Sequence, residues 1–344
     1  MLSRRFKNDG RAILHLNELQ KNTKKQIEEK IRKGVYSFEE VPCYFCGKED
    51  FETLSEKDRY GLYHSVVICR NCGLIQQNPQ MTQESCNQFY EVEYRKLYGG
   101  GISTEEFFRN QHRRGAEIYN YLKTNLNTNL INLKIFEVGT GAGGFLQYFR
   151  EKNNEAFGID LGPEYINFGK NKYNLNLKIG TIANVKMPWI PDIVIYSHVL
   201  EHILNPIEEF IALKPLMSKD SYLYIELPGV RTFHKNYEMN FLKCLQNAHV
   251  YYFTLTTLKN LLRKADYDFV CGDEFIHSIF KPSSKVHTDY KFVNDYEETI
   301  SFLKKMERLR YLPIPINIKI FIKKILRKIH LYKFAVNLYY KVKS

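Results

Sequence analysis

A glycine-rich turn after a short apolar run constrains the fold of this chain more than any other feature. Residues 134–138, Lys-Ile-Phe-Glu-Val, predict a strand, and residues 139–144, Gly-Thr-Gly-Ala-Gly-Gly, follow it directly. Apolar residues then recur at helical spacing from Phe145 to Phe149. Because glycine lacks a Cβ, such a loop can lie directly against a ligand, and the free N–H groups of the following helix face the same ligand. The pattern predicts the first unit of a nucleotide-type α/β sheet.

The charge beside the loop narrows the class of ligand. Gly139, Gly141 and Gly144 fit Gly-x-Gly-x-x-Gly, which would admit a nicotinamide or flavin cofactor. Glu137 argues against a dinucleotide, because a carboxylate two residues before the first glycine repels a pyrophosphate at the helix N-terminus. The same carboxylate suits a ligand that carries an ammonium and a sulfonium and no phosphate.

The wider pattern Glu-x-Gly-x-Gly-x-Gly resembles motif I of the class I S-adenosylmethionine-dependent methyltransferases. The resemblance implies that S-adenosylmethionine is the cofactor and that four residues of the motif bind it, namely Glu137, Gly139, Gly141 and Gly143.

Two further stretches carry predicted cofactor contacts. Asp160 ends the predicted second strand, where a carboxylate can accept hydrogen bonds from the two ribose hydroxyls of an adenosine. The resemblance implies an adenine contact near Thr181 and Ile182, just past the predicted third strand, although the acid that many family members carry there is absent.

Histidines follow the predicted fourth strand, which spans residues 191–196. His198-x-x-Glu201-His202 matches an inverted zinc-protease motif, but that motif needs a helix beside a further ligand, whereas these residues leave a strand of an α/β unit. The resemblance implies instead that this run and Ser197 line the methyl-donor pocket. A histidine packed in the core is the alternative interpretation of His202.

A second histidine stands in the segment His249-x-Tyr-x-Phe-Thr, before a leucine-rich helix, and this segment resembles methyltransferases of sugars and small molecules. A hydroxyl acceptor needs a base with a pKa near neutrality, and histidine is the suitable side chain. The candidate catalytic residues are therefore His249, His198 and His202, with the first two favoured as the base.

Two Cys-x-x-Cys-Gly turns precede the sheet, Cys43/Cys46 and Cys69/Cys72, with 22 residues between them. Two such turns can place four thiolates tetrahedrally around Zn²⁺, which predicts a structural zinc ribbon because four thiolates leave no open position. Disulfides and a redox-active pair are the alternatives. A cytoplasmic chain disfavours the former, and the latter does not need two matched turns.

The net charge of +12 is concentrated at the C-terminus, where residues 302–344 hold twelve Lys and Arg and one acid. Between Ile318 and Tyr332 apolar and basic residues fall on opposite faces of a predicted helix. Such a helix lies on an anionic membrane surface or covers the enzyme or a partner subunit. Nucleic acid is not expected as a partner, for want of a recognition motif. Residues 88–101 are interpreted either as a mobile cover over the ligand or as a packed linker.

The sequence thus predicts a doubly wound, mostly parallel Rossmann-like α/β sheet with an N-terminal zinc ribbon and a basic amphipathic helical tail. The expected segments are a helical stretch (1–40), the ribbon (41–80), a linker and helix (81–130), the S-adenosylmethionine-binding domain (131–280) and the tail (281–344). No signal peptide or transmembrane run is evident, so the expected location is the cytoplasm, with peripheral contact to the inner face of the membrane.

The predicted function is methyl transfer to a hydroxyl or amine of a small acceptor. A ribbon before such a domain resembles methyltransferases of sugars and nucleotide sugars in surface-polysaccharide and secondary-metabolite synthesis. The sugar C-methyltransferases carry a further C-terminal α/β domain, and only about 70 residues follow the last predicted strand, so oxygen or nitrogen is favoured over carbon. The alternatives are a nicotinamide-dependent sugar oxidoreductase or epimerase, whose Tyr-x-x-x-Lys pair is missing, and a non-catalytic zinc-ribbon scaffold.

Overall fold

The computed structural model describes residues 1–126, 129–286 and 291–310. The predicted amphipathic helix between Ile318 and Tyr332 lies outside these residues. Within the described part of the chain no helix is long and apolar enough to cross a bilayer.

The N-terminal third begins with a capped helix and a small sheet. Helix α1 (Glu18–Arg32) starts where the Asn17 side chain accepts the Gln20 N–H and the Gln20 side chain accepts the Asn17 N–H, so it occupies the second half of the helical stretch expected over residues 1–40. Five short strands follow: β1 (Phe38–Glu39), β2 (Phe51–Lys57), β3 (Tyr63–Cys69), β4 (Ile75–Gln77) and β5 (Gln80–Met81).

Three helices connect this region to the main sheet: α2 (Gln83–Val92), α3 (Tyr94–Gly99) and α4 (Thr104–Leu126). Helices α2 and α3 include most of residues 88–101, the segment for which the sequence allowed two interpretations, a mobile cover over the ligand or a packed linker. Its aromatic side chains pack against one another and against His202, so the segment is folded and packed on the domain. We call α2 and α3 the cap.

The remaining elements alternate as a doubly wound domain requires. In chain order they are β6 (Lys134–Val138), α5 (Gly144–Glu151), β7 (Glu155–Asp160), α6 (Pro163–Tyr173), β8 (Asn176–Ile179), β9 (Ile193–Ser197), α7 (Pro206–Leu213), β10 (Tyr222–Glu226), α8 (Phe233–Asn236), β11 (Tyr251–Tyr252), α9 (Leu255–Lys264), β12 (Tyr267–Gly272), β13 (His277–Pro282) and α10 (Tyr296–Arg310). Single 3-10 turns cover Arg4–Phe6, Leu200–His202, Lys214–Leu216, Val230–Thr232 and Phe241–Lys243.

The main sheet has seven strands in the order β12-β13-β10-β9-β6-β7-β8. The five strands from β10 to β8 are parallel, and β13 runs antiparallel between β10 and β12. The predicted Rossmann-like class is confirmed. The sequence analysis ended the sheet near Cys271 and missed β13, because its only inward apolar run is the pair Ile279 and Phe280.

Alternate residues of the central strands bury opposite faces of the sheet. Ile135 and Ile195 pack under α4, α5 and α6, whereas Phe136 and Val194 pack under α7 and α9. Because both faces of the sheet are buried, the sequences of these strands are almost continuously apolar. This burial also leaves the carboxyl edge of the parallel strands as the place where side chains can gather around a ligand.

A second sheet has the order β11-β4-β3-β2. Its first strand comes from residues 251–252, almost two hundred residues after the cysteine turns, and pairs Tyr251 with Gln76 and Tyr252 with Ile75. The cysteine-bearing hairpin is therefore built into the body of the protein through the segment that carries His249.

Candidate active site

The glycine loop leaves β6 and opens α5 at the carboxyl edge of the sheet. Gly139 has φ +69°, and a Cβ there would lie 2.3 Å from Val199 Cγ2, so both the backbone and the contact with the segment after β9 require glycine. Gly143 is the N-cap of α5 and no side chain caps the helix. The Gly143 N–H donates to Thr140 O at 2.9 Å and the Gly144 N–H to Gln111 Oε1 at 3.4 Å, so the loop is held in place at the edge where β6 and β7 end.

Asp160 ends β7 and joins this loop, as the sequence predicted. Its Oδ2 accepts the Gly141 N–H at 2.9 Å and its Oδ1 accepts the Gly162 N–H at 2.7 Å. The sequence analysis missed Arg95 of α3, whose Nη2 lies 3.7 Å from Asp160 Oδ1 and whose guanidinium stacks on Tyr165. The cap therefore also contacts the Asp160 carboxylate, through Arg95.

Glu137 lies beneath the loop, 1% exposed, and accepts a hydrogen bond of 2.8 Å from Thr140 Oγ1. Burial raises the pKa of Glu137 to about 8, although the Thr140 hydroxyl opposes the shift. The sequence argument assumed an ionised carboxylate at neutral pH. In the structure this carboxyl needs a neighbouring cation to be fully ionised there.

The Glu137→Gln variant is expected to flatten the dependence of stability on pH. The pKa of Glu137 is raised from 4.5 to about 8 in the folded state. Such an acid does not change the free energy of unfolding at pH values below 4.5, and it lowers that free energy increasingly as the pH rises toward 8. The free energy of unfolding of the unliganded wild type should therefore fall with rising pH, by up to about 5 kcal/mol from this group, and fall less in the variant.

Chemical denaturation at about pH 5 and about pH 8 measures this difference. Glu155→Gln is the matched control, because Glu155 is an exposed acid at the opposite end of β7. Equal slopes in wild type and Glu137→Gln would contradict the raised pKa.

The predicted adenine residues lie near a small cavity past β8. The cavity of about 200 Å³ is lined by Ile159, Lys178, Ile179, Gly180, Asn184, Val185 and Lys186. Thr181 is exposed beside this lining, and its N–H is held by Asn184 Oδ1 at 2.9 Å. Ile182 is 4% exposed and belongs to the core.

A larger cavity opens at the carboxyl ends of β9 and β10. Its volume is about 360 Å³, and its lining is Arg114, His198, Glu226, Leu227, Pro228, Gly229, Thr232, Asn236, Tyr237, Phe275 and His277. Arg114 Nη2 donates to Glu226 Oε1 at 2.7 Å, and Ser197 Oγ donates to Glu226 Oε2 at 3.0 Å. Burial alone would raise the pKa of Glu226, but His198, Arg114 and His277 hold it below its ordinary value. We call this the polar pocket.

His198 stands at the rim of the polar pocket in a left-handed backbone conformation, with φ +56°. Its N–H donates to Glu226 O at 2.8 Å, and its Nε2 lies 3.8 Å from Glu226 Oε1. A non-glycine residue in this region of φ is uncommon and marks a position that its surroundings hold in place. Of the three candidate catalytic histidines, only His198 lines this pocket.

Comparison with known proteins decides the family. A family model for a methyltransferase domain matches residues 107–271, from α4 to β12, slightly less than half of the 344 residues. Residues 107–271 therefore form a methyltransferase domain. The matched residues include the glycine loop, Asp160 and all three candidate histidines, so the protein is an enzyme of methyl transfer.

Solved structures with a similar fold include three methyltransferases of low sequence identity. The plantazolicin methyltransferase BpumL in complex with SAH is 19% identical, with a TM-score of 0.42, over 66% of this chain and 90% of that one. A methyltransferase from Clostridium acetobutylicum is 10% identical, with a TM-score of 0.40, over 58% and 99%. CalS10, an amino pentose methyltransferase from Micromonospora echinaspora, is 18% identical, with a TM-score of 0.30, over 40% and 56%. These TM-scores are too low to bear on the acceptor. A search of the curated proteins returns no match.

The other two histidines do not line the polar pocket and lie together beside an acid. His202 and His249 have ring centroids 4.8 Å apart, and Glu201 lies beside them. Burial lowers the pKa of both histidines, most strongly that of His249, which is 3% exposed. The sequence analysis missed Tyr90, whose hydroxyl lies 2.8 Å from His202 Nδ1. His202 is therefore half-buried and hydrogen-bonded, and is not packed only among apolar side chains.

The four predicted ligand cysteines converge on one another. All four Sγ atoms lie within 4.8 Å of one another, with Cys43 and Cys72 at 3.4 Å and Cys46 and Cys69 at 3.5 Å. None of the four forms a disulfide. Gly73 has φ +79°, and its Cβ would lie 2.6 Å from the Asp295 backbone, so the second turn requires glycine. Three buried cysteines and the half-buried Cys46, at this spacing, fit a tetrahedral ion with metal–sulfur bonds of about 2.3 Å.

Proposed function

We propose that the protein transfers a methyl group from S-adenosylmethionine to a hydroxyl of a sugar-like acceptor, either free or carried on a nucleotide. The observation that carries this proposal is the polar pocket, which adjoins the cofactor edge and contains a histidine at its rim. Its volume of about 360 Å³ is within the range of small-molecule sites.

The residues at the sheet edge fit the cofactor. The loop offers backbone N–H groups without Cβ atoms, and the Asp160 oxygens keep lone pairs for ribose hydroxyls beyond the two backbone bonds they accept. Glu137 beneath the loop gains its charge when a cation lies near it. When bound, S-adenosylmethionine supplies a methyl group on positively charged sulfur, so that the new carbon–oxygen bond forms as the carbon–sulfur bond breaks and a neutral thioether remains.

The chain's own part in the reaction is alignment and proton removal. Placing the acceptor oxygen in line with the methyl group accounts for most of the acceleration expected of such a site. His198 Nε2 would take the proton that the hydroxyl loses and release it to solvent, since the side chain is 40% exposed. His249 is less suited to this role, because it does not line the pocket.

The pocket's chemistry supports a hydroxyl-rich, neutral acceptor. Arg114 is neutralised by Glu226, so the pocket does not present an isolated cation to an anion. Thr232, Asn236 and His277 offer further hydrogen-bonding groups, and the rings of Tyr237 and Phe275 offer flat apolar faces. Sugars combine hydroxyl groups with an apolar C–H face and match such a lining.

We also propose that the four-cysteine cluster holds structural Zn²⁺. The support is the convergence of four cysteine sulfurs without disulfides. Because four thiolates fill a tetrahedral shell, the ion would take no part in methyl transfer and would stabilise the hairpin against the body. Contact of the tail with an anionic membrane surface, and a cytoplasmic location, stay predictions from the sequence, which co-sedimentation with phosphatidylserine vesicles would test for the tail.

Replacing His198 with Asn should lower the rate of methyl transfer about 100-fold, which is typical of losing a general base. The assay follows S-adenosylhomocysteine formed from S-adenosylmethionine across a panel of free and nucleotide-linked sugars. His15→Asn is the control, because His15 is exposed and lies outside the methyltransferase domain. Full activity of the His198→Asn variant would show that His198 is not the base. Absence of turnover of every sugar in the panel by the wild type would refute the sugar-like acceptor.

A further inference from the structure

Three side chains of metal-ligand type that do not line the polar pocket converge with one another. Their ligand atoms, from Glu201, His202 and His249, all lie within 4.8 Å of one another. The sequence brings the first two together on the 3-10 turn after β9 and supplies the third from the segment before β11. Methyl transfer from S-adenosylmethionine does not by itself require such a group.

Glu201 is a buried carboxylate without a hydrogen bond. Its side chain is 2% exposed, and neither Oε1 nor Oε2 has a hydrogen-bond partner among the described residues. His198 Nδ1 is 3.5 Å from Oε1, which is too long for a well-formed hydrogen bond. A carboxylate buried without a partner destabilises the folded state unless a positive charge nearby compensates its own.

The ring of His202 is anchored at its Nδ1 atom. Its Nδ1 lies 3.0 Å from the Ala248 carbonyl oxygen. The Tyr90 hydroxyl lies 2.8 Å from the same nitrogen. When Nδ1 donates its proton to the carbonyl, Nε2 is the ring nitrogen left to bind an ion. Metal-binding histidines are commonly oriented in this way, by donating the other ring N–H to a backbone carbonyl.

The backbone fixes the third residue in the same cluster. Val250 N donates to Glu201 O at 2.8 Å, next to the bond from His202 to Ala248. These two bonds clamp the segment 248–250 against the turn 200–202. The three side chains therefore approach one another through a preorganised backbone rather than through a chance arrangement of mobile side chains.

We propose that Glu201, His202 and His249 bind a divalent first-row transition-metal ion, such as Mn²⁺ or Fe²⁺. One carboxylate and two imidazoles are ligands that these ions accept, and they differ from the thiolate set of the cysteine cluster. Three protein ligands leave coordination positions open for water or an acceptor oxygen. Binding of the ion requires no acceptor, so this inference stands apart from the identity of the methylated molecule.

The location gives such an ion access to the acceptor. His198 links the cluster to the polar pocket, since its Nδ1 faces Glu201 and its Nε2 faces Glu226. An oxygen coordinated at the open positions would lose its proton more readily, as metal-bound water does.

The experiment titrates MnCl₂ into the zinc-loaded, full-length protein and follows the free Mn²⁺ signal by electron paramagnetic resonance. Mn²⁺ competes poorly with Zn²⁺ for thiolates, so the cysteine cluster does not interfere. We expect saturable binding of one ion per chain, and an affinity reduced by about ten-fold or more in Glu201→Gln and in His202→Gln. Glu209→Gln is the control, because Glu209 is a half-buried acid that bonds Tyr196 outside the cluster.

Calorimetric binding of S-adenosylmethionine to each variant shows whether the domain is folded and tests the proposed function separately. No saturable Mn²⁺ binding by a wild type that binds S-adenosylmethionine overturns the metal site and leaves the proposed function standing. Unchanged Mn²⁺ affinity in the folded Glu201→Gln variant also overturns it. Lost methyl transfer in that variant, without any Mn²⁺ binding by the wild type, would assign Glu201 to positioning His198 instead.

Discussion

The Asp160→Ala variant is expected to bind S-adenosylmethionine about 100-fold more weakly than the wild type. Each charge-assisted hydrogen bond from a ribose hydroxyl to the carboxylate contributes about 1.5 to 3 kcal/mol, so the loss of two amounts to roughly 3 kcal/mol or more. The variant also leaves the Gly141 and Gly162 N–H groups without their acceptor, which loosens the loop. Isothermal titration calorimetry measures the change.

Asp192→Ala is the matched control for this prediction. Asp192 is an acid beside the opposite, amino-terminal end of β9, where its Oδ2 accepts the Lys134 N–H at 2.7 Å. Both variants lose one carboxylate that holds a backbone N–H, but only Asp160 lies at the cofactor edge. An Asp160→Ala affinity equal to that of the wild type would place the adenosine elsewhere.

Substitution of Cys72 by Ser should remove bound zinc and destabilise the whole protein. Structural zinc sites contribute on the order of 10 kcal/mol to folding in small domains, which is comparable with the total stability of an ordinary domain. Because β4 of the ribbon pairs with β11, the damage should extend into the segment that carries His249. Elemental analysis and thermal unfolding provide the two measurements.

Cys271→Ser is the control, since Cys271 is a half-buried thiol on β12, outside the cluster. It should retain one zinc per chain and a melting temperature close to that of the wild type. Purified wild type without zinc, or with its four cysteines paired as disulfides by mass spectrometry, would refute the structural zinc site.

The sequence predicted those parts of the site that are consecutive in the chain. The run from Glu137 to Gly143 specifies strand, turn and helix by local rules, and the structure has β6, the loop and α5 there. Asp160 could be placed because parallel strands bring their carboxyl ends to one edge. The pairing of the cysteine turns followed from their matching pattern, and the structure gathers all four sulfurs.

Residues that reach the site from a distant element gave no such local pattern. Arg95 and Tyr90 lie on the cap, and Arg114 lies on α4, yet they contact Asp160, His202 and Glu226. Strand β13 and its His277 were missed for a related reason, since a short strand inserted antiparallel depends on the sheet edge that receives it.

The three histidines show most clearly what could not be predicted from the sequence. By itself it determined an α/β methyltransferase sheet, its glycine loop and the existence of His198, His202 and His249, because hydrophobic periodicity and local turns depend on neighbouring residues. Tertiary structure separated these histidines, placing His198 at the rim of the polar pocket and the other two around the unpaired carboxylate of Glu201. That separation depends on β11 joining the cysteine hairpin, a contact between residues far apart in the chain that no local pattern specifies.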